Sequence, residues 1–458
     1  MISLHFFHTN DIHSHFDHWA SLVSYLNHER HRLQAEGKPC LTLDLGDHMD
    51  RVNPLTEGLL GRGNVKLLND ADYDYVTIGN NEGITFTKDI LNLVYRDRHF
   101  EVILANLYDS SGKRPDWCRP YAIRVMDGVR VGFVGLTAAF AQFYTQLGWD
   151  IRDPLTELRP IVKKLREEAD IVVLMSHVGL PFDERVAKEL DGIDVIIGSH
   201  THDVLQQGLL IHSTLIAQAG KFGRYAGHIV IEFDEKTRRV LHKGAELVAL
   251  RGNPDPDSER EIEVLEKKGI ANMQQIVASL DHAMPVSWYG DSEITRLMAD
   301  ALRKWCDADI GLVNAGVILE GLNPGPVTKY QIHHICPHPI NPCKVNLTGR
   351  EIIEMINIGL KKEFQTYQLK GFGFRGKVLG KLVFSHLTYN RVVDGENQTA
   401  SDVRIDGKPV LADKKYQVGT IDMFTFGTLL PPIARASQRF FLPETLRDLL
   451  AWRLSQIE

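Results

Sequence analysis

Side chains that bind divalent cations recur in this chain in five short blocks. They are Asp11-Ile12-His13, Gly46-Asp47, Gly79-Asn80-Asn81-Glu82, Ser176-His177 and Gly198-Ser199-His200-Thr201-His202. Carboxylate, imidazole and amide oxygen form a mixed nitrogen and oxygen donor set, which suits Mn, Zn, Fe or Co better than Ca or Mg. Each block alone is a weak signal, because Asp-x-His is common and a single His177 is more often a core residue. The doublet His200/His202 says more, since alternating histidines bring two imidazoles near one point. Five such blocks in order, each behind an apolar run, would rarely arise from packing alone. The chemistry they fit is that of two divalent ions that lower the pKa of a shared water and clamp phosphoryl oxygens for in-line attack. Two aspartates and one hydroxide do not cancel the charge of two such ions, so the site favours a phosphate ester, and the nucleophile is water.

These residues need a scaffold that delivers them to one place. The blocks follow β-type runs at Ile2–His8, Leu41–Leu45, Tyr75–Ile78, Ile171–Met175 and Val195–Ile197, so the ligands are expected at strand C-terminal ends along one edge of a sheet. Further strands are predicted at Val102–Asn106, Arg130–Leu136, Leu215–Gln218 and His228–Phe233, with amphipathic helices at Asp153–Glu168 and Asp183–Leu190. Strands and helices interleaved in this way imply an α/β layered sandwich. Fifteen of the 20 histidines precede residue 243, which assigns the imidazoles to one domain.

The polar stretch Arg251–Ser258 breaks the pattern, and periodicity from Glu259 to about Leu280 predicts a linker helix. The expected division is a catalytic domain over 1–245, a linker over 246–281 and a second domain over 282–458. The second domain reads as a helix at Ile294–Cys306, a strand at Ile310–Asn314, a helix at Gly349–Gly359 and a strand at Leu382–Asn390. A final helix over Leu442–Leu454 is opened by Pro443 and Glu444, good first-turn residues.

Bulk properties bound the partners. A chain of 458 residues exceeds one comfortable core, and 43% hydrophobic with 24% charged residues is the composition of a soluble globular protein. A net charge of −7 argues against a nucleic-acid polymer as partner, while a small anion remains compatible because a metal centre supplies local positive charge. No apolar run approaches the ~20 residues of a membrane span, and no secretory signal is visible. Five scattered cysteines without CxxC spacing read as reduced thiols, so a cytoplasmic location is expected; in that setting the sequons at Asn346 and Asn397 carry no meaning. Composition carries no signal of oligomeric state. Gly371-Phe-Gly-Phe-Arg-Gly376 matches GxGxxG but lacks the strand–turn–helix context of a dinucleotide site. No Gly-x-Ser-x-Gly elbow or Walker lysine loop occurs.

The five blocks together resemble those of the calcineurin-like metallophosphoesterases, specifically the 5′-nucleotidase branch, more closely in the first domain than in the second. The resemblance implies a four-layer α/β/β/α sandwich followed by a smaller α/β C-terminal domain that supplies substrate contacts. It implies one cation held by Asp11, His13, Asp47 and His202 and another by Asp47, Asn80, His177 and His200, with Asp47 bridging. The implied activity is metal-dependent hydrolysis of nucleotides or related small phosphoesters. A 2′,3′-cyclic-nucleotide phosphodiesterase or a nucleotide-sugar diphosphatase is the alternative on the same scaffold. A binding protein with a relict metal site is the alternative of another class.

Departures from the family pattern are informative. Asn81 stands where the family carries a phosphate-contacting His, and Ile84 where an Asp orients that His. Asparagine donates a hydrogen bond but delivers no proton. Either His48, directly after Asp47, serves as acid or phosphate contact, or it packs behind the site and the leaving group departs without a proton. His8, His15 and His18 read as packing or surface residues. In the second domain, Asn314-Ala-Gly-Val-Ile-Leu319 lacks the family's arginine and Phe426-Gly-Thr-Leu-Leu-Pro431 replaces its glycine-rich segment. Asn314, Phe372, Phe374 and Arg375 are the substrate-facing candidates, against the alternative that the loop aromatics pack on their own domain.

Overall fold

Alternation along the strand Ile2–Thr9 sets the layer order of the amino-terminal part. Phe6 turns inward and meets Phe133 edge-on at 6.0 Å, while Phe7 turns outward and meets Tyr25 of the helix Trp19–Ala35 at the same distance. The computed structural model describes residues 1–250, 252–395 and 397–457. The chain forms two units, 1–270 and 271–458.

The first unit holds a seven-stranded and a six-stranded sheet. In the first sheet Ile2–Thr9, Cys40–Asp44, Tyr75–Val76 and Glu101–Ile103 run parallel. In the second, Val129–Thr137, Ile171–His177, Val195–Gly198 and Thr214–Ala217 run parallel. Leu4, Phe6, Leu43, Phe133, Val173, Ile197 and Ile231 fill the space between them. Val134, Leu158, Leu165, Val172 and Val186 pack the outer face of the second sheet, where the helices Pro154–Glu168 and Leu180–Glu189 lie. The result is the α/β/β/α sandwich. Strands buried on both faces explain why the sequence shows continuous apolar runs here. One expectation changes: the ligand blocks leave the ends of two facing sheets, three from the first and two from the second, not one edge of one sheet.

The predicted linker helix is displaced and shortened. The helix spans Pro256–Asn272, and Ile276–Leu280 is a strand paired with Gly325–Thr328; Arg251 lies outside the described residues. Most of the helix belongs to the first unit. A Cβ on Gly269 would stand 2.4 Å from Pro54 O, and one on Gly58 2.1 Å from Gly269 O. Two backbones can approach that closely only where neither carries a side chain.

The second unit is built on a five-stranded sheet in which Pro342–Thr348 and Lys415–Ile421 are antiparallel neighbours, and Ile310–Asn314 joins the latter in parallel. Helix Glu293–Trp305 buries Ile294, Met298 and Leu302. The single strand expected at Leu382–Asn390 is two, Leu382–Ser385 and Leu387–Asp394, broken at His386 with φ 63°. The final helix begins at Leu446, later than expected, because Thr445 and Asp448 form its capping box.

Candidate metal centre

Backbone hydrogen bonds lace the first two ligand loops together. The amides of Asp11, His13 and Ser14 donate to the carbonyls of Gly46, Asp47 and His48 at 3.1, 2.7 and 2.9 Å. Buried Glu82 ties in the third loop: its carboxylate accepts from the amides of Gly79, Asp47 and Met49 at 2.9, 3.0 and 2.8 Å. The fourth and fifth blocks are joined by Ser199 Oγ, which donates to Ser176 O or Leu45 O, each 3.0 Å away. The amide of His200 lies 3.1 Å from Asp11 Oδ2.

These ties produce two clusters. Asp11, His13 and His202 offer ligand atoms within 4.8 Å of one another, and so do Asp47, His177 and His200. Asp47 faces both: its Oδ2 is 3.7 Å from His13 Nε2 and its Oδ1 3.4 Å from His177 Nε2. His202 Nε2 stands 3.5 Å from Asp11 Oδ1 and 3.1 Å from His13 Nε2. Two features fit a cation there. The Asn80 Oδ1 and His177 Nε2 atoms are buried and make no hydrogen bond among the described residues, a costly state for buried polar atoms. His177 Nδ1 lies 2.7 Å from Leu45 O, which fixes its proton on that side and turns Nε2 toward Asp47.

Backbone strain gathers at the same place. Asp11, His13, Asp47, His200 and His202 all have φ between 49° and 73°, in the left-handed region that side chains disfavour. Such residues persist where the surroundings over-determine them. Charge is equally concentrated. Burial, reinforced by Asp47, pushes Asp11 up to about 6. Burial would raise Asp47 too, but His177 holds it below the usual range, and the same pair lifts His177 to about 10 against its own burial. Burial, with neighbouring imidazoles, lowers His200 to about 4 and His202 to about 3. The cage thus holds protons where a cation would replace them, and offers neutral imidazoles beside them.

Residues 4–204 match the calcineurin-like phosphoesterase family and residues 270–428 the 5′-nucleotidase C-terminal domain. The uncharacterized metallophosphoesterase YunD of Bacillus subtilis is 40% identical over 99% of both chains. The chain belongs to the calcineurin-like metallophosphoesterases. It is a phosphoester hydrolase of the branch that carries a 5′-nucleotidase C-terminal domain, and enzymes of this family use divalent metal ions. Two solved structures share the fold: the NAD nucleotidase of Haemophilus influenzae (TM-score 0.68, 15% identity, covering 99% of this chain and 95% of that one) and a 5′-nucleotidase precursor of Thermus thermophilus (0.61, 20%, 99% and 96%).

Several expected site residues of this metallophosphoesterase lie elsewhere. His48 is not placed to deliver a proton: it is 1% exposed, packs edge-on against Trp19 at 5.1 Å, and burial lowers it to about 3. Asn314 is fully buried and donates to Leu379 O at 2.7 Å. Phe374, 3% exposed, stacks on His338 at 5.3 Å and is core. The Arg375 amide donates to His338 Nδ1 and its guanidinium to Phe374 O, so it is half-buried in its own loop. Phe372 differs: it is 49% exposed and lies parallel to Phe426 at 5.9 Å. His8 is buried, while His15 is exposed and packs on Phe222 at 3.8 Å.

Sequence reasoning gives no role to Glu82, Asp50, Phe426 or the Lys221–Phe222 pair. Phe222 donates its amide to Asp11 O, and Lys221 Nζ lies 4.7 Å from the Phe222 ring centre, so a cation borders the ligand loop. Only Glu82 had a signal, its place in the third block.

One buried group gives a pH test. Asp183, fully buried beside Gln218 Nε2 at 3.3 Å, is pushed by burial from 3.8 up to about 8. A folded-state value above the unfolded one means stability that is full below pH 3.8 and lost as pH rises through 8, at up to ~1.4 kcal/mol per unit. Asp183→Asn lacks this loss. Its unfolding free energy relative to wild type should climb between pH 4 and 8 in denaturant titrations, and a flat difference would show that the carboxyl is ionised.

Proposed function

We propose that this chain is a dinuclear metal-dependent phosphohydrolase that acts on nucleotides or related small phosphoesters. The observation that carries the reading is Asp47, whose two oxygens face two separate His/Asp clusters. Asp11, His13, Asp47 and His202 would hold one cation, and Asp47, Asn80, His177 and His200 the other. Such cations, when bound, supply Lewis acidity that activates water and neutralises phosphoryl oxygens. The chain's own residues do the rest. Leu45 O and Ser199 orient His177, Glu82 ties the second and third ligand loops together, and the neutral amide of Asn80 would ligate without cancelling charge.

Asn81 cannot donate a proton and His48 is packed away, so the reading favours leaving groups that depart as anions. The exposed Phe372 ring, parallel to Phe426 at 5.9 Å, is a flat apolar surface of the kind that stacks on a planar base. The relatives named for nucleotides support this class. We further propose a cytoplasmic protein that uses manganese. Five free thiols support the location, since such thiols persist in a reducing compartment.

The test is turnover by purified protein with Mn²⁺, Co²⁺, Zn²⁺ and Mg²⁺ on bis(p-nitrophenyl) phosphate, nucleotide sugars, nucleoside monophosphates and 2′,3′-cyclic nucleotides. Faster hydrolysis of nucleotide sugars, whose leaving group is itself a phosphate, than of nucleoside monophosphates is expected, with a preference for Mn²⁺. A pair of bound ions without turnover of any substrate would instead make this a relict binding site. Phe372→Ala should raise KM for nucleotides about tenfold, the worth of one stacked ring, and leave KM for bis(p-nitrophenyl) phosphate nearly unchanged. Equal effects on both substrates would remove the ring from base recognition.

A further inference from the structure

Asn81 Nδ2 lies 2.6 Å from His13 Nδ1, and Asp50 Oδ2 lies 3.6 Å from the same nitrogen. On the far side of the ring, His13 Nε2 faces Asp11 Oδ1 at 3.9 Å and Asp47 Oδ2 at 3.7 Å. An imidazole that ligates through Nε2 must carry its proton on Nδ1, and that proton needs an acceptor. The Asp50 carboxylate stands within ion-pair range of that proton, and Asn81 becomes its acceptor once the side-chain amide makes a half-turn, which exchanges Nδ2 for Oδ1 at the same place.

Both partners are themselves held. Asp50 is 3% exposed; its amide donates to Ser14 Oγ at 2.8 Å, and its Oδ1 accepts from the Val52 amide at 3.0 Å. Ser14 Oγ is in turn bonded to Thr56 Oγ1 at 2.7 Å and to Asn64 Nδ2 at 2.9 Å. The backbone amide of Asn81 donates to Asp47 Oδ1 at 2.7 Å, and its backbone carbonyl accepts from Thr85 Oγ1, so the main chain that carries the Asn81 side chain is fixed beside His13.

We infer that Asn81 and Asp50 are a pair of positioning residues that fix the tautomer and ring plane of His13, so that Asn81 is committed to the protein and is not a substrate contact. This rests on the proposed cation at Asp11, His13 and His202. It also explains how the position that supplies a proton donor elsewhere in the family is used here: its side chain has become part of the support of a ligand. Specificity for leaving groups that need no proton then follows from the structure of the metal cage itself.

The test is Mn²⁺ binding to the substrate-free protein, followed by calorimetry and by electron paramagnetic resonance, for wild type, Asn81→Ala, Asn81→Asp and Asp50→Asn. Asn81→Ala should weaken one of the bound ions by about 10–100-fold, the usual effect of removing a partner of a ligating histidine. Asn81→Asp keeps an acceptor oxygen and should restore most of that affinity. Asp50→Asn, nearly isosteric, should weaken the same ion. In turnover assays with bis(p-nitrophenyl) phosphate, Asn81→Ala should shift the Mn²⁺ dependence and leave KM unmoved. Wild type that binds the ions while Asn81→Ala binds them equally well, or Asn81→Asp that is as weak as Asn81→Ala, overturns the positioning role alone. Wild type that binds no divalent ion overturns the metal reading and this inference with it.

Discussion

Asp47→Asn is expected to lower turnover by on the order of a thousandfold, several kcal/mol of transition-state stabilisation, and to reduce bound Mn²⁺ from a pair to a single ion at most. The reason is geometric. One oxygen of Asp47 faces His13 and the other faces His177, 3.7 and 3.4 Å away. An amide in its place keeps one acceptor for the Asn81 amide at 2.7 Å, but loses the charge and the second oxygen. Local folding should therefore survive while the shared ligand does not. Turnover together with metal content by mass spectrometry checks this. A variant with wild-type metal content and activity within tenfold would show that Asp47 does not bridge.

Gly79→Ala should be nearly as damaging, although residue 79 offers no ligand. A Cβ there would stand 2.0 Å from Asp47 Oδ1 and 2.5 Å from Asp47 N. Neither atom can retreat, since the Asp47 amide is held by Glu82 and its carboxylate by Asn81. The carboxylate must move by more than its tolerance. Displacement of a reacting-centre ligand by about 1 Å costs on the order of a hundredfold in rate, and overpacking adds ~1–3 kcal/mol of instability. Gly244→Ala is the control, because its nearest neighbour would be His242 Nε2 at 3.4 Å. Activity and melting temperature separate the two. A Gly79→Ala protein that melts and turns over like Gly244→Ala would mean that the close approach is relieved by easy motion.

The ligand blocks are legible in the sequence for a physical reason. A parallel strand buried on both faces is an unbroken apolar run, and the polar residues that end it stand out sharply: Ile171 to Met175 give way to Ser176-His177, and Val195 to Ile197 to Gly198-Ser199-His200. Element type in the first unit follows from the same contrast. The region around residue 276 is less legible, because Ile276–Leu280 continues a helical pattern but finds a partner strand at Gly325–Thr328. Local propensity yields there to pairing with a segment distant in sequence.

The placement of the other candidate residues depends on contacts that no local pattern announces. Phe372 and Phe374 are two residues apart with identical side chains, yet one is exposed against Phe426 and the other is buried against His338. His48 directly follows Asp47 but turns into the Trp19 packing. Asp50 reaches His13 only because the loops that carry them are laced by backbone hydrogen bonds. Residue types and their order were enough to assign the chemistry, since ligand atoms are a property of side chains and strands deliver them in sequence order. Which histidine faces the cage, which aromatic is exposed and which carboxylate lies beside a histidine ring were decided by tertiary packing, because burial and hydrogen-bond partners come from residues tens to hundreds of positions away.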